Sequence, residues 1–179
     1  MICILGKNDY RFTDTVVTIG KFDAFHIGHR ALVECMESYR DRGMKTVVLR
    51  LDIRNGEKPL RTETERIDLL ARMGVDIYIR HDFTERDARM SAEDFIKNVL
   101  VDRLGAKAVV VGEDFRFGFE RRGDAGLLTR EGAKCGFETV VLEKVSYDGE
   151  VVSSSRIRKA LGSGRAEEAS AMMEGEEFQ

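Results

Sequence analysis

The sequence is poor in the residues that mark secreted and membrane proteins. Its 179 residues include one proline, no tryptophan and three widely spaced cysteines, Cys3, Cys35 and Cys135. These cysteines form no C-x-x-C pair, so neither a disulfide framework nor a structural zinc site is indicated, and reduced thiols favour a cytoplasmic protein. No apolar run approaches the roughly 18–20 residues that span a bilayer. The N-terminus becomes polar at Lys7, too early for a signal peptide.

The charge balance argues against two further classes of partner. The chain has 29 Lys and Arg against 32 Asp and Glu, a net charge of -3 at pH 7. Proteins that bind nucleic acids or acidic membranes are normally basic, so we expect neither partner. With 42% hydrophobic and 34% charged residues, the composition is that of a folded globular protein. We expect a single domain over residues 1–179, with its core at about 15–173.

Short β-branched runs alternate with amphipathic stretches along the chain. Five such runs predict buried strands, at 15–19, 46–51, 75–79, 108–111 and 139–142. The intervening stretches predict helices, so the pattern predicts an α/β fold with a parallel five-stranded sheet covered on both faces. In such sheets ligands bind beyond the C-terminal ends of the strands, where the strand order reverses.

Two of the three histidines directly follow the first predicted strand. His26 and His29 are three positions apart at a predicted helix start, which puts both imidazoles on one face beside the backbone N–H groups of the first turn. Helix N-termini bind phosphate, and Gly28 leaves the ligand side free of bulk. We interpret the segment as a phosphate site rather than as two solvated histidines. No third metal ligand is obvious nearby, so the metal ligands are unknown.

Two other segments follow the fifth and fourth predicted strands. In 152–158, VSSSRIR, three hydroxyls and Arg158 suit phosphate oxygens, although an ordinary serine N-cap with a solvated basic face is the alternative. In 111–118, VGEDFRFG, two aromatic residues expected to be exposed lie beside two glycines and could hold a flat ring. A mobile surface loop with a packed Phe is the alternative there. Dinucleotide-binding and P-loop fingerprints are absent from the sequence.

Together, these segments resemble the FMN adenylyltransferase module of the bacterial bifunctional riboflavin kinase/FAD synthetase family, within the nucleotidylyltransferase superfamily. The motifs that carry the resemblance are 18–29, 110–124 and 152–158. The resemblance implies a Rossmann-like three-layer α/β/α fold and the reaction of ATP with FMN to give FAD and pyrophosphate, with Mg²⁺. In that family a riboflavin kinase domain usually follows. We expect that domain to be absent here, with a kinase, fused or separate, as the implied partner.

The resemblance also assigns roles to individual residues. The expected catalytic residues are His26, His29 and Arg158. The expected nucleotide-binding residues are Gly20, Lys21, Phe22, Asp23, Gly28, Gly112, Asp114, Ser153, Ser154 and Ser155, and the expected flavin-binding residues are Ala24, Phe25, Phe115, Phe117 and Arg122.

Two departures from the family pattern leave other functions open. Ala24 stands where the family usually has Gly, and 51–56, LDIRNG, replaces a Phe-x-Pro-His-Pro segment. One alternative is a nucleotidylyltransferase with a different phosphate acceptor. Another is a flavin or nucleotide sensor that binds without turnover. A class I tRNA synthetase fragment shares the His-Ile-Gly-His segment, but its lysine-rich second motif is missing.

Overall fold

A computed structural model describes residues 1–6, 9–53, 56 and 58–174. Six parallel strands form the central sheet in the order β1-β4-β3-β2-β5-β8. They are β1 (Ile2–Leu5), β2 (Thr15–Gly20), β3 (Lys45–Asp52), β4 (Ile77–Asp82), β5 (Ala106–Gly112) and β8 (Glu138–Leu142). Two short antiparallel hairpins lie outside this sheet, β6 (Arg116–Phe117) with β7 (Gly123–Asp124) and β9 (Ser146–Tyr147) with β10 (Glu150–Val151).

Helices cover both faces of the sheet. They are α1 (Ile27–Glu37), α2 (Glu63–Arg72), α3 (Glu85–Ala88), α4 (Ala92–Asp94), which continues as a π-helical stretch over Phe95–Val101, α5 (Ala125–Cys135), α6 (Ser154–Gly162) and α7 (Ala166–Glu174). Within the described part of the chain, no helix has the length and apolar character needed to cross a bilayer. All three cysteines lie in described segments and are free thiols.

The predicted three-layer α/β/α architecture is confirmed, but the strand count was wrong. β1 is a sixth strand that pairs in parallel with β4 at the edge of the sheet. It escaped detection because it has only four residues and its side chains are largely exposed, so it lacks the apolar run of a buried strand. The other strands of the sheet carry the β-branched runs that predicted them.

Capping residues in the sequence set the ends of several helices. Thr62 and Glu65 form a reciprocal capping box at the start of α2, and the Asp124 side chain accepts the Leu127 N–H at the start of α5. Helix α5 ends at Gly136, with φ of 81°. The stretch between the first two predicted strands does not form one continuous helix: α1 ends at Glu37, and a separate 3₁₀ turn over Arg40–Arg42 precedes Gly43.

The core forms two layers, one on each face of the sheet. Alternate strand residues such as Val16 and Val48 pack against α1 and α2, whereas Val17 and Leu49 pack towards the π-helical stretch and α5. A third cluster, which includes Ala24, joins α6 and α7 to the loop after β2.

The strand order places the switch point of the sheet between β2 and β5. β3 and β4 lie on one side of β2, and β5 and β8 lie on the other. The loops that follow β2 and β5 therefore leave the sheet at the place where parallel α/β proteins form ligand clefts. All three sequence motifs lie at or next to this edge.

Candidate active site

The loop after β2 is strained and anchored in the core. Phe22 and Phe25 have positive φ angles of 46° and 50°, and their side chains are fully buried. A left-handed conformation costs about 1–3 kcal/mol for a bulky residue, and burial of two aromatic rings offsets it. The centres of the Phe22 and His29 rings are 4.7 Å apart, so the buried phenylalanine packs against the histidine.

A buried arginine of α2 holds the same loop from the other side. Arg66 is 1% exposed, donates from Nε to the Phe22 carbonyl at 2.8 Å and pairs with Glu63 at 2.7 Å. Arg50 of β3 donates to the Lys21 carbonyl at 3.1 Å. These contacts tie the backbone of the loop to two secondary-structure elements, which fixes the start of α1.

The two histidines stack on each other at that helix start. Their ring centres are 3.8 Å apart, and His26 is the N-cap residue of α1. A Cβ on Gly28 would lie only 3.1 Å from His26 Nδ1, so glycine permits this packing of the ring. Burial lowers the pKa of His26 to about 4, although Asp114 opposes the shift. Burial, His26 and Arg66 together hold the pKa of His29 well below its usual value. Both rings are therefore neutral at pH 7.

Arg158 of α6 reaches across to the loop after β2. Its guanidinium contacts Asp23 Oδ2 at 2.5 Å and donates to the Lys58 carbonyl at 2.7 Å. Asp23 also accepts the Leu60 N–H through Oδ1, at 3.3 Å. The arginine and the histidine pair thus face one cleft from two different elements.

The three serines before Arg158 divide into two roles. Ser153 is the N-cap of α6, and its side chain accepts the Arg156 N–H at 3.2 Å, so the ordinary cap interpretation applies to it. Ser154 and Ser155 line the cleft. Arg156 points away to Tyr147, Glu150 and Glu168 and stabilises the packing of α6.

Three cavities meet at this edge of the sheet. The central cleft, of about 660 Å³, is lined by the histidine pair, Lys21, Asp23, Arg50, Leu51, Asp52, Ile53, Gly56, Pro59, Ser154, Ser155 and Arg158. The outer cleft, of about 510 Å³, lies at the switch point and is lined by residues that include Gly20, Gly28, Gly112, Asp114, Phe115 and Ser153. The apolar cavity, of about 120 Å³, is lined by Leu49, Leu51, Ile53, His81, Phe83, Asp87, Met90, Phe95, Val99, Arg116, Phe117, Gly118 and Arg121.

Residues that line two cavities at once show the order in which the three cavities lie. His26 and His29 line both the outer and the central cleft, whereas Leu51 and Ile53 line both the central cleft and the apolar cavity. The three cavities are therefore neighbours, with the charged central cleft between the mixed outer cleft and the apolar cavity.

Some predicted flavin-side residues lie elsewhere than expected. The expectation that Phe115 and Phe117 are both exposed was wrong, because Phe117 is 5% exposed and packs in the core beside the apolar cavity. The Ala24 and Phe25 side chains are also buried in the core and line none of the three cavities. Arg122 is exposed and pairs with Glu120 at 2.5 Å. Phe22, predicted to border the nucleotide, is fully buried and is not among the residues that line the three cavities; its ring packs against His29 and lies beside Gly20.

The sequence interpretation also missed residues that the fold brings to the site. Arg50 and Asp52 line the central cleft and pair with each other at 3.0 Å. They lie at the C-terminal end of β3, and the rule that ligands bind beyond the C-terminal ends of parallel strands would have identified this place. The predicted loop over 51–56 includes positions 54 and 55, which lie outside the described residues. His81 and Phe83, at the end of β4, line the apolar cavity.

Comparison with known proteins settles the family. Residues 9–156 match the family model described as FAD synthetase. The chain belongs to the FAD synthetase family. This family member is 36% identical over 155 residues to the bifunctional riboflavin kinase/FMN adenylyltransferase of Escherichia coli (strain K12), covering 82% of this chain and 50% of that protein. It is 32% identical over 166 residues to a putative bifunctional riboflavin kinase/FMN adenylyltransferase of Geobacillus thermodenitrificans, covering 89% of each.

The chain spans about half the length of the first curated relatives it matches, such as the Buchnera aphidicola enzyme from Schizaphis graminum, at 51%. Among solved structures, one titled as a macrolide-efflux protein from Streptococcus pneumoniae superposes with a TM-score of 0.84 and 27% identity, over 97% of this chain and 60% of that one. Thermotoga maritima TmcAL bound with alpha-thio ATP superposes with a TM-score of 0.51 and 15% identity, over 88% of this chain and 52% of that one, a likeness of fold alone.

Proposed function

We propose that this FAD synthetase family member transfers the adenylyl group of ATP to FMN, which gives FAD and pyrophosphate. The observation that carries the proposal is the order of the three adjacent cavities. FAD is an adenosine and a riboflavin joined through a diphosphate, with the isoalloxazine ring at the far end. The cavities follow the same order, from the switch-point cleft through a charged middle to an apolar end. The curated relatives named FMN adenylyltransferases support the same substrates.

The outer cleft suits the adenosine. It lies at the switch point, where β2 and β5 end in Gly20 and Gly112 and a ligand can approach the backbone closely. Asp114 lies at this cleft and forms an ion pair with Lys144 at 3.5 Å. Its carboxylate can accept hydrogen bonds from ribose hydroxyls.

The central cleft suits the phosphates. Lys21, Arg50 and Arg158 offset the charge of the triphosphate, and the first turn of α1 adds backbone N–H groups. We assign His26 and His29 to the α-phosphate, because they stand between the outer and central clefts. Arg158, with Ser154 and Ser155, is assigned to the β- and γ-phosphates.

The chemistry then requires alignment and charge neutralisation. A phosphate oxygen of FMN attacks the α-phosphorus of ATP, the bond from that phosphorus to the bridging oxygen breaks, and pyrophosphate leaves with the electron pair. The FMN phosphate is already anionic at neutral pH, so no general base is needed. Neutral imidazoles each donate one N–H, and these donors stabilise the charge that develops on the transferring group.

Asp23 and Asp52 are the residues that would hold Mg²⁺. Both carboxylates line the central cleft, and Mg²⁺ in phosphate chemistry is usually held by one or two carboxylates together with substrate oxygens. Within the described segments, no group of three His, Cys, Asp or Glu side chains could hold a metal alone, which fits a metal that binds with the nucleotide. Bound there, Mg²⁺ would neutralise charge on the leaving pyrophosphate.

The apolar cavity suits the flat ring of the acceptor. Its walls are mainly aliphatic and aromatic, and it is connected to the phosphates through Leu51 and Ile53. Phe117 and Phe115 are both predicted to bind the flavin; Phe117 lines this cavity, whereas Phe115 lines the outer cleft. A riboflavin kinase, whether fused or separate, is the activity that supplies FMN, and a cytoplasmic location accords with the free thiols.

Incubation of the protein with ATP, Mg²⁺ and FMN tests the proposal. We expect FAD, detected by chromatography and by its quenched fluorescence, with pyrophosphate released in equal amount. Pyrophosphate release with another phosphate acceptor but not with FMN would overturn the choice of acceptor. Tight flavin binding without any product would instead identify a binding protein.

A further inference from the structure

His81 is a buried polar group that the proposed reaction does not use. It lies near the end of β4, directly opposite Leu51 of β3 in the sheet register, and its residue is 4% exposed. The ring lines the apolar cavity. Its Nδ1 atom is buried and has no hydrogen-bond partner among the described residues. A buried polar atom without a partner is costly, so such an atom beside a cavity points to a ligand group.

Asp87 fixes the orientation and tautomer of this ring. His81 Nε2 lies 3.2 Å from Asp87 Oδ2. The same oxygen accepts the Thr84 N–H at 2.8 Å and the Thr84 hydroxyl at 2.7 Å, in the capping box of α3. Burial raises the pKa of Asp87, but the Thr84 hydrogen bonds and His81 outweigh it and lower the pKa. The carboxylate therefore accepts a hydrogen bond from Nε2–H, and in the tautomer with its proton on Nε2 the lone pair of the ring lies on Nδ1.

Most of the other side chains that line the cavity are apolar. Leu49, Leu51, Phe95 and Phe117 are among them, and Arg116 and Arg121 line it as well. His81 thus offers one hydrogen-bond acceptor inside a hole that otherwise selects for apolar, flat groups.

We propose that His81 determines the specificity of the site for the acceptor ring, by accepting a hydrogen bond at Nδ1 from the imide N–H of the isoalloxazine. The proposal rests on the proposed function, since it assumes that the acceptor is FMN. Oxidised isoalloxazine has a single ring N–H, and that group is on the pyrimidine edge. A site built to accept from an N–H rejects an analogue without it strongly, because the buried acceptor is then left unpaired.

Binding measurements with FMN and 3-methyl-FMN, which lacks the imide N–H, test this pairing. Dissociation constants come from the quenching of flavin fluorescence, for the wild type and for His81→Leu. We expect His81→Leu to weaken FMN binding about tenfold, the usual effect of losing one buried hydrogen bond. The wild type should bind 3-methyl-FMN about tenfold more weakly than FMN, and His81→Leu should bind the two alike.

Met90→Leu is the matched control, because Met90 lines the same cavity without offering a strong acceptor. It should change the affinities for both flavins by the same factor. If His81→Leu lost the same factor of affinity for FMN and for 3-methyl-FMN, His81 would act only through packing, and the proposal would be overturned. If His81→Leu does not fold, His81→Asn provides the test. Its side-chain oxygen can replace Nδ1, so it should keep the preference for FMN, and loss of that preference would count against the proposal.

The two proposals fail in different ways. Wild-type protein that forms FAD but binds FMN and 3-methyl-FMN equally overturns the role of His81 alone. Wild-type protein that neither binds FMN nor forms FAD overturns the proposed function, and the role of His81 with it.

Discussion

Arg158 and Asp23 form an ion pair of 2.5 Å across the central cleft. The pair joins α6 to the loop after β2, two segments 135 positions apart in the sequence. Both side chains are only partly exposed, at 25% and 20%, so the pair is less screened than a surface salt bridge. In the proposed reaction the pyrophosphate would compete with Asp23 for the guanidinium, which would leave the Asp23 carboxylate available to hold Mg²⁺.

Substitution of Arg158 should therefore damage turnover more than folding. Arg158→Lys keeps the charge but loses the two-pronged donor geometry, and we expect kcat to fall about 10²-fold, with Arg158→Ala at or below that level. Pyrophosphate release measures the rate. Lys159→Ala, at the exposed neighbouring position of α6, is the control and should be near wild type. Full activity of Arg158→Lys would show that the guanidinium does not bind the phosphates through two hydrogen bonds.

His29→Ala should reduce kcat by about 10²–10³-fold, as expected when a donor to a transition-state oxyanion is removed. The fold should survive, because Phe22 and Phe25 remain buried beneath the site. Single-turnover formation of FAD, followed together with circular dichroism, separates the two effects. Near-normal adenylyl transfer by a folded His29→Ala protein would remove this histidine from the mechanism.

The positions of the residues proposed to be catalytic could be predicted from the sequence because the signal is local. Two histidines three apart after a β-branched run, and an arginine beyond a serine-rich helix start, predict their positions through helix geometry and the strand rule. Contacts between residues far apart in the sequence leave no such local pattern, so they could not be predicted. Phe117 lies in the two-residue strand β6 and is buried, whereas Phe115 precedes this strand and is half-buried, and the local sequence does not distinguish the two rings.

His81 and Arg66 are two residues near the site that could not be predicted from the sequence. The third strand was predicted to end at residue 79, so His81 fell in a presumed loop, whereas β4 continues to Asp82. Arg66 lies one helical turn before Leu70 on the buried side of α2, where an arginine is unusual. Its partners are backbone carbonyls of a distant loop, and no pattern within the helix reveals them.

The half-buried histidine pair should make stability depend on pH. Burial lowers the folded-state pKa of His26 from 6.5 to about 4, so the unfolded chain binds more protons between these values. The contribution is fully present above about pH 6.5 and is lost as the pH falls towards 4, by on the order of 2–3 kcal/mol. Urea unfolding at pH 7.5 and pH 5 measures it. His26→Asn should show a smaller difference between the two pH values, and an equal difference would contradict the assignment.

Arg66→Met should destabilise the protein by about 2–4 kcal/mol, because it leaves buried carbonyls of the loop without donors. The side chain donates to Phe22 and Arg61 carbonyls, and its volume is close to that of methionine. Since those contacts also hold the start of α1, residual activity should fall at temperatures where the variant is still folded. Thermal unfolding and initial rates at low temperature measure the two losses separately. Arg72→Met, exposed on the same helix, is the control and should change neither. A stable Arg66→Met protein with normal kcat would show that the loop keeps its strained conformation without the buried guanidinium.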